Sequence, residues 1–311
     1  MKATDFNTGW TCRHLGTPAP GTPVTLPHDA MLAEERNQTS AGGTNTGWFE
    51  GHDYLYEKHF TPDAAQATQC LVLEFEGVYH NAEVHLNGEK IAACPYGYSG
   101  FYADMTNRIK CCEDNVLEII ARNADQPNSR WYSGAGIYRP VTLWTAPARH
   151  ILPDGVQVRT LGLSPAEVEV TVQTSDAGAV SIAILDGGRV VATAQAQSDG
   201  KAVARVTVPN AKLWSPESPA LYRCRAAFGD DCAETTFGVR TLSWGDDGLL
   251  LNGKRILLLG ACVHHDHGVL GACCYPEAEE RKVRLLQKVG YNAVRCAHNP
   301  CSKAFLDASD R

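Results

Sequence analysis

The stretch from residue 256 to 310 leaves the chain the fewest options. It opens on Ile256-Leu257-Leu258-Leu259-Gly260-Ala261-Cys262, an unalternating apolar run of the kind that forms a strand buried on both faces. A polar tip follows, Val263-His264-His265-Asp266-His267-Gly268. Pro276 then opens a predicted helix with Glu277, Glu279 and Glu280 in its first turn and Arg281, Lys282, Arg284 and Lys288 later, signs that suit the helix dipole. Gly290 supplies the stop. A second strand over 291–296 leads to a second polar tip, Ala297-His298-Asn299-Pro300, and Ser302 is placed to cap a helix over 303–310. A helix that carries the chain back between two strands makes those strands parallel, so both tips sit at the same end of the sheet. In β/α barrels that end carries the chemistry, and two strands are a small part of such a barrel's roughly 250 residues.

Upstream the pattern is different. Residues 1–53 are rich in Gly, Pro, Thr and Asn and read as a long lead-in laid over a β domain, with ordered turns at Pro27-His28-Asp29 and around Trp48. Strands are predicted at 54–60, 70–78, 81–86, 116–121 and 141–144, with a hairpin turned at Asn87-Gly88, and together they suggest a jelly-roll β-sandwich over 1–147. Alternating strands at close spacing over 148–241 suggest an immunoglobulin-like sandwich acting as a spacer, with Trp214 and Tyr222 at its edge. A further hairpin at Asn252-Gly253 feeds the barrel segment, 242–311. The fold class expected is therefore mainly β, ending in the first βαβα part of a (β/α)8 barrel.

One loop of the first sandwich stands out: Asn128-Ser129-Arg130-Trp131-Tyr132-Ser133-Gly134-Ala135-Gly136-Ile137-Tyr138-Arg139-Pro140. Aromatic faces stack on the apolar faces of sugar rings and arginine donates fixed hydrogen bonds, so Arg130 and Trp131 are candidate ligand contacts. The alternative is a loop packed on its own sandwich.

The order and spacing of Phe75-Glu76-Gly77-Val78, Val84-His85-Leu86-Asn87-Gly88, the Arg130 to Arg139 loop, Leu251-Asn252-Gly253-Lys254 before Gly260 and His264, and Val294-Arg295-Cys296-Ala297-His298-Asn299-Pro300 resemble glycoside hydrolase family 2, which includes β-galactosidases, β-glucuronidases and β-mannosidases. The resemblance implies a retaining hydrolase of β-glycosidic bonds, a β-galactoside being favoured and a β-glucuronide next. It also implies two catalytic glutamates about 5 Å apart. Both would lie on later barrel strands, beyond Arg311, so the 311-residue chain by itself is expected to be inactive. Glu277, Glu279 and Glu280 do not replace them and read as solvated helix residues. By the same resemblance, Arg295, His298 and Asn299 lie at the sugar-binding end of the barrel, and His264 holds the family's histidine position after the first strand. Arg295 bridging strands through buried ion pairs is the structural alternative. Where the family often has Asn-Arg-His-Glu-Asp, this chain has Cys262-Val263-His264-His265-Asp266, so no role passes to His265 or Asp266.

Other classes are weaker. Cys262, His264, His267, Cys296, His298 and Cys301 gather near the two tips and are zinc-type ligands, but their spacing fits no zinc motif, so no metal and no cofactor are expected. A non-catalytic carbohydrate-binding or adhesion role is the other alternative, and it would place glycan binding in residues 1–147 alone. The net charge, 28 − 35 = −7, argues against a nucleic-acid partner. The start has no apolar signal core and no run reaches membrane-span length. Twelve cysteines without a Cys-x-x-Cys pair suggest free thiols. A cytoplasmic protein that binds carbohydrate, with homo-oligomer formation left open, is the expectation.

Overall fold

The computed structural model describes every residue except 247. Two antiparallel sheets form the first sandwich. One orders Lys2–Asp5, Val141–Ala146, Cys70–Phe75 and Phe101–Asp104. The other orders Thr22–Val24, Trp10–His14, Tyr54–Phe60, Asn115–Ala121, Ala82–Leu86 and Glu89–Cys94. Trp10, Tyr56, Leu73, Phe75, Val84, Leu117 and Ile119 fill the space between the sheets, each at most 1% exposed. Strand Asn115–Ala121 alternates buried and half-buried, as a strand with one face on a core must. Cys70–Phe75 does not alternate, because its second face is also covered: Glu74 accepts from Trp144 Nε1 at 2.9 Å and pairs with Lys303 of the barrel segment. The 87–88 turn has positive φ at Asn87 (52°) and Gly88 (84°), as a two-residue type I′ hairpin requires.

The lead-in differs from its expected form. It supplies three strands of the sandwich, and its Trp10 is 1% exposed at the centre of the core. Gly and Pro between short strands hid the period.

The second sandwich has five strands: Ile151–Leu163, Ala166–Asp186, Arg189–Thr207, Tyr222–Phe228 and Asp231–Phe237. Two of them are long and bend, with a register shift between Gln173 and Ala177. The first half of Ala166–Asp186 pairs with Ile151–Leu163 and the second half with Tyr222–Phe228, so one strand serves both faces of a core built on Val168, Val170, Val172, Ile182, Ile184 and Phe228. Trp214 ties this domain to the barrel segment: its Nε1 donates to Asp310 O at 2.8 Å, and its carbonyl accepts from Asn252 Nδ2 at 3.0 Å.

The third part begins with hairpins over Leu242–Gly245, Gly248–Leu251 and Lys254–Arg255, the latter two joined at Asn252 (φ 53°) and Gly253 (φ 76°). Strands Gly260–Val263 and Ala293–Cys296 then pair in parallel, Cys262 opposite Arg295, joined by helix α1 (Pro276–Lys288) and followed by α2 (Lys303–Asp310). Ser302 caps α2, its Oγ accepting from Phe305 N at 3.1 Å. The first strand is shorter than expected. Residues 256–259 are outside it, and Leu257, Leu258 and Leu259 are 64%, 62% and 55% exposed, because no element of the described residues packs on either face. All twelve cysteines are free. Among the described residues no helix is long and apolar enough to cross a membrane.

Candidate functional site

Parallel pairing brings the two polar tips to one end of their sheet, and the loop of the first sandwich covers them. Trp131 touches both tips: its ring centroid is 5.2 Å from that of His264 and 5.3 Å from that of His298. The two histidine rings stand 6.0 Å apart at 87°. Arg130, Trp131, His264 and His298 line an open cleft of about 470 Å3. Trp131 is held from behind by Tyr98, whose hydroxyl accepts from Nε1 at 3.1 Å.

Buried polar contacts lock the loop to the barrel segment. Asp29, 2% exposed, accepts at Oδ1 from Met31 N and Ala135 N, and at Oδ2 from Ala272 N (2.9 Å) and the Tyr132 hydroxyl (2.7 Å). Burial pushes its carboxyl up and these four donors pull it back. A Cβ on Gly134 would lie 2.5 Å from Ala272 Cβ, so the loop approaches this closely only with glycine there. His265, 8% exposed, points back to the sandwich, and its Nε2 donates to Ser133 O at 3.0 Å. Burial, aided by the Arg139 and Lys282 charges, takes its pKa down to about 4, so it is a neutral packing group. Arg139 donates to Pro300 O at 2.8 Å and fixes the second tip.

Beneath the cleft lies a cluster that sequence reasoning missed. Glu279 is 3% exposed, not solvated: helical spacing turns 279 and 282 toward the strand tips while 277, 281 and 284 face out. Its Oε1 accepts from Ser302 Oγ at 3.0 Å and lies 3.3 Å from His267 Nε2, and its Oε2 lies 3.4 Å from Lys282 Nζ. Lys282 also donates to His264 O at 3.1 Å. Burial alone would raise Glu279, but His267, Lys282 and Ser302 prevail and take it down to about 2. One carboxylate on α1 is thus linked to both tips. The signal available in the sequence was the i, i+3 spacing of Glu279 and Lys282.

The remaining candidates are placed differently. Asn299 lines a small cavity with His264, His265 and Glu279, and its Nδ2 has no protein partner among the described residues. Arg295 is exposed and makes no ion pair among the described residues; its NH1 lies 3.5 Å from Cys262 Sγ on the sheet face away from α1. That face is a barrel's interior. The six zinc-type residues near the tips do not gather three ligand atoms at one point; among the described residues the one such group is His14, Glu34 and His52, elsewhere.

Three family models now match the three parts of the fold: residues 10–148 the glycosyl hydrolase 2 galactose-binding domain-like model, 155–240 the glycosyl hydrolases family 2 model, and 243–311 the family 2 TIM barrel domain. The chain belongs to glycosyl hydrolase family 2. A β-galactosidase of Bacteroides ovatus is 35% identical across 99% of this chain, and a putative β-glucuronidase of Formosa agariphila is 30% identical across 92%. The chain spans 40% of the length of the first and 29% of the second. A solved family 2 member from Bacteroides cellulosilyticus superposes with a TM-score of 0.93 at 30% identity, covering all of this chain and 45% of that one. A β-glycosidase from Bacteroides vulgatus gives 0.88 at 27%, again over the whole chain and 43% of that structure.

Proposed function

We propose that residues 1–311 form the sugar-binding side of the active site of a retaining β-glycosidase, with β-galactosides the favoured substrates and β-glucuronides next. The observation that carries this is the convergence of Trp131, from the first sandwich, on His264 and His298, from the two parallel-strand tips. An aromatic face beside two imidazoles suits a pyranose, which offers an apolar face for stacking and hydroxyls for hydrogen bonding.

In this reading Trp131 stacks on the ring, His298 and His264 bond hydroxyls, and Arg130 donates to an oxygen at the rim. Asn299 supplies an amide donor beneath the sugar, and Arg295 faces the barrel interior beside Cys262. Retaining hydrolysis needs a carboxylic acid and a carboxylate nucleophile about 5 Å apart. Among the described residues none that lines the cleft is a carboxylate, and Glu279 is committed to Lys282, His267 and Ser302. The catalytic pair is therefore assigned to barrel strands other than the two described.

The test uses the 311-residue chain with nitrophenyl β-galactoside, nitrophenyl β-glucuronide and their non-hydrolysable thioglycosides. Binding of a thioglycoside without turnover of the matching nitrophenyl glycoside is expected. Turnover, or binding retained by residues 1–147 alone, contradicts the reading; the second result would favour a carbohydrate-binding module.

A further inference from the structure

On the rim of the first sandwich, three side chains from separate segments point at one another. His14 ends strand Trp10–His14, His52 lies two residues before its partner strand, and Glu34 follows the 3-10 helix Ala30–Ala33. His14 Nε2 is 2.7 Å from Glu34 Oε1, and His52 Nε2 is 3.6 Å from Glu34 Oε2. One ligand atom from each of the three can be chosen so that all lie within 4.8 Å of one another. The Glu34 carboxylate has no Lys or Arg within ion-pair distance among the described residues; two imidazoles and a phenol face it instead. Tyr54, 2% exposed, donates its hydroxyl to Oε1 at 3.0 Å and fixes the carboxylate's orientation.

The geometry points to a divalent metal site, and we assign it to zinc, with His14, His52 and Glu34 as ligands and water completing the shell. Two imidazoles and a carboxylate are a donor set zinc takes at about 2.0–2.2 Å, which puts neighbouring ligand atoms roughly 3–3.5 Å apart, the range the 2.7 and 3.6 Å contacts bracket. Tyr54 supplies the outer hydrogen bond that orients a ligating carboxylate. As the rings stand they lie face to face, 4.3 Å apart at 19°. A metal lies in the plane of each imidazole that binds it, so uptake turns the half-exposed His14 ring out of the stack. Its side chain is 44% exposed, and that rotation meets solvent.

The site's position gives it a consequence. Glu34 sits one 3-10 helix away from Asp29, the residue that accepts from Ala135 and Ala272 across the junction with the barrel segment. Zinc would clamp that helix to the two strands beside it and stiffen the mount of Asp29.

The experiment titrates Zn2+ into the 311-residue chain against a chromophoric chelator, with metal content checked by elemental analysis and with Co2+ as a spectroscopic substitute. Expected are one equivalent of metal, a higher Tm for the sandwich, and cobalt bands without thiolate charge transfer. Glu34→Gln, which keeps the shape of the side chain, and His52→Ala should each weaken binding roughly 100-fold, and Tyr54→Phe about 10-fold. Circular dichroism establishes that each variant is folded, and Glu34→Gln decides the matter if His52→Ala is not. No uptake overturns the assignment. So does uptake that Glu34→Gln leaves unchanged, or a thiolate band, which would place the metal on cysteines such as Cys111 and Cys112.

Discussion

His264 and His298, just past the ends of the two parallel strands of the barrel segment, stand with ring centroids 6.0 Å apart and perpendicular, with Trp131 of the first sandwich against both. The parallel pairing of Gly260–Val263 with Ala293–Cys296 puts them at one end of the sheet, and the Asp29 contacts bring the tryptophan to them. The cleft therefore belongs to two domains at once, and its parts can be tested separately.

Trp131→Ala removes the stacking face while leaving the histidines in place. Thioglycoside affinity should fall by about 1–2 kcal/mol, roughly 5- to 30-fold in Kd, in calorimetric titration. The melting temperature should fall only slightly, since one hydrogen bond to Tyr98 is lost at a half-buried site.

Asp29→Ala leaves four donors without their acceptor: the amides of Met31, Ala135 and Ala272 and the Tyr132 hydroxyl. A loss of about 3 kcal/mol or more in denaturant unfolding is expected. Hydrogen exchange should rise at Ala135 and Ala272 together, because one side chain protects both.

Glu279 sets an acid limit on the barrel segment. Its carboxyl falls from the usual 4.5 to about 2 in the folded chain, so the unfolded state binds the proton first as pH drops. The stabilisation is complete above pH 4.5 and disappears as pH falls toward 2. A shift of 4.5 − 2 corresponds to roughly 3 kcal/mol. Glu279→Gln should lose about that much near neutrality and show a flatter stability profile between pH 4.5 and 2.

His265 acts in a higher window. Its folded pKa is lowered from 6.5 to about 4, so the unfolded chain takes up a proton that the folded chain refuses. Stability contributed by keeping it neutral is whole above pH 6.5 and declines as pH falls to about 4. His265→Leu should remove that slope in urea titrations run across the window, at the cost of the bond to Ser133 O.

The elements that the sequence reveals are those with local causes. Pro276, Gly290 and Ser302 mark helix ends by their own backbone chemistry, and Asn87-Gly88 and Asn252-Gly253 mark turns by tolerating positive φ. What stayed hidden depends on distant partners. Asp29 gains its meaning from residues 135 and 272, and Glu279 from the tips that its helix face meets. The apolar run at 256–259 shows the converse: composition marks a surface to be covered, but only packing says what covers it. The convergence of Trp131 with the two histidines needed both the parallel pair, which periodicity supplies, and the docking of two domains, which it does not.

The most direct measurement follows the ring resonances of His264 and His298 by NMR while a β-thiogalactoside is titrated into the 311-residue chain, with a β-thioglucuronide run in parallel. Both rings should shift along one saturation curve with either galactoside or glucuronide, and Trp131→Ala should weaken that curve. Rings that stay unmoved while the sugar binds elsewhere, or that respond with different affinities, would contradict a shared sugar-binding cleft.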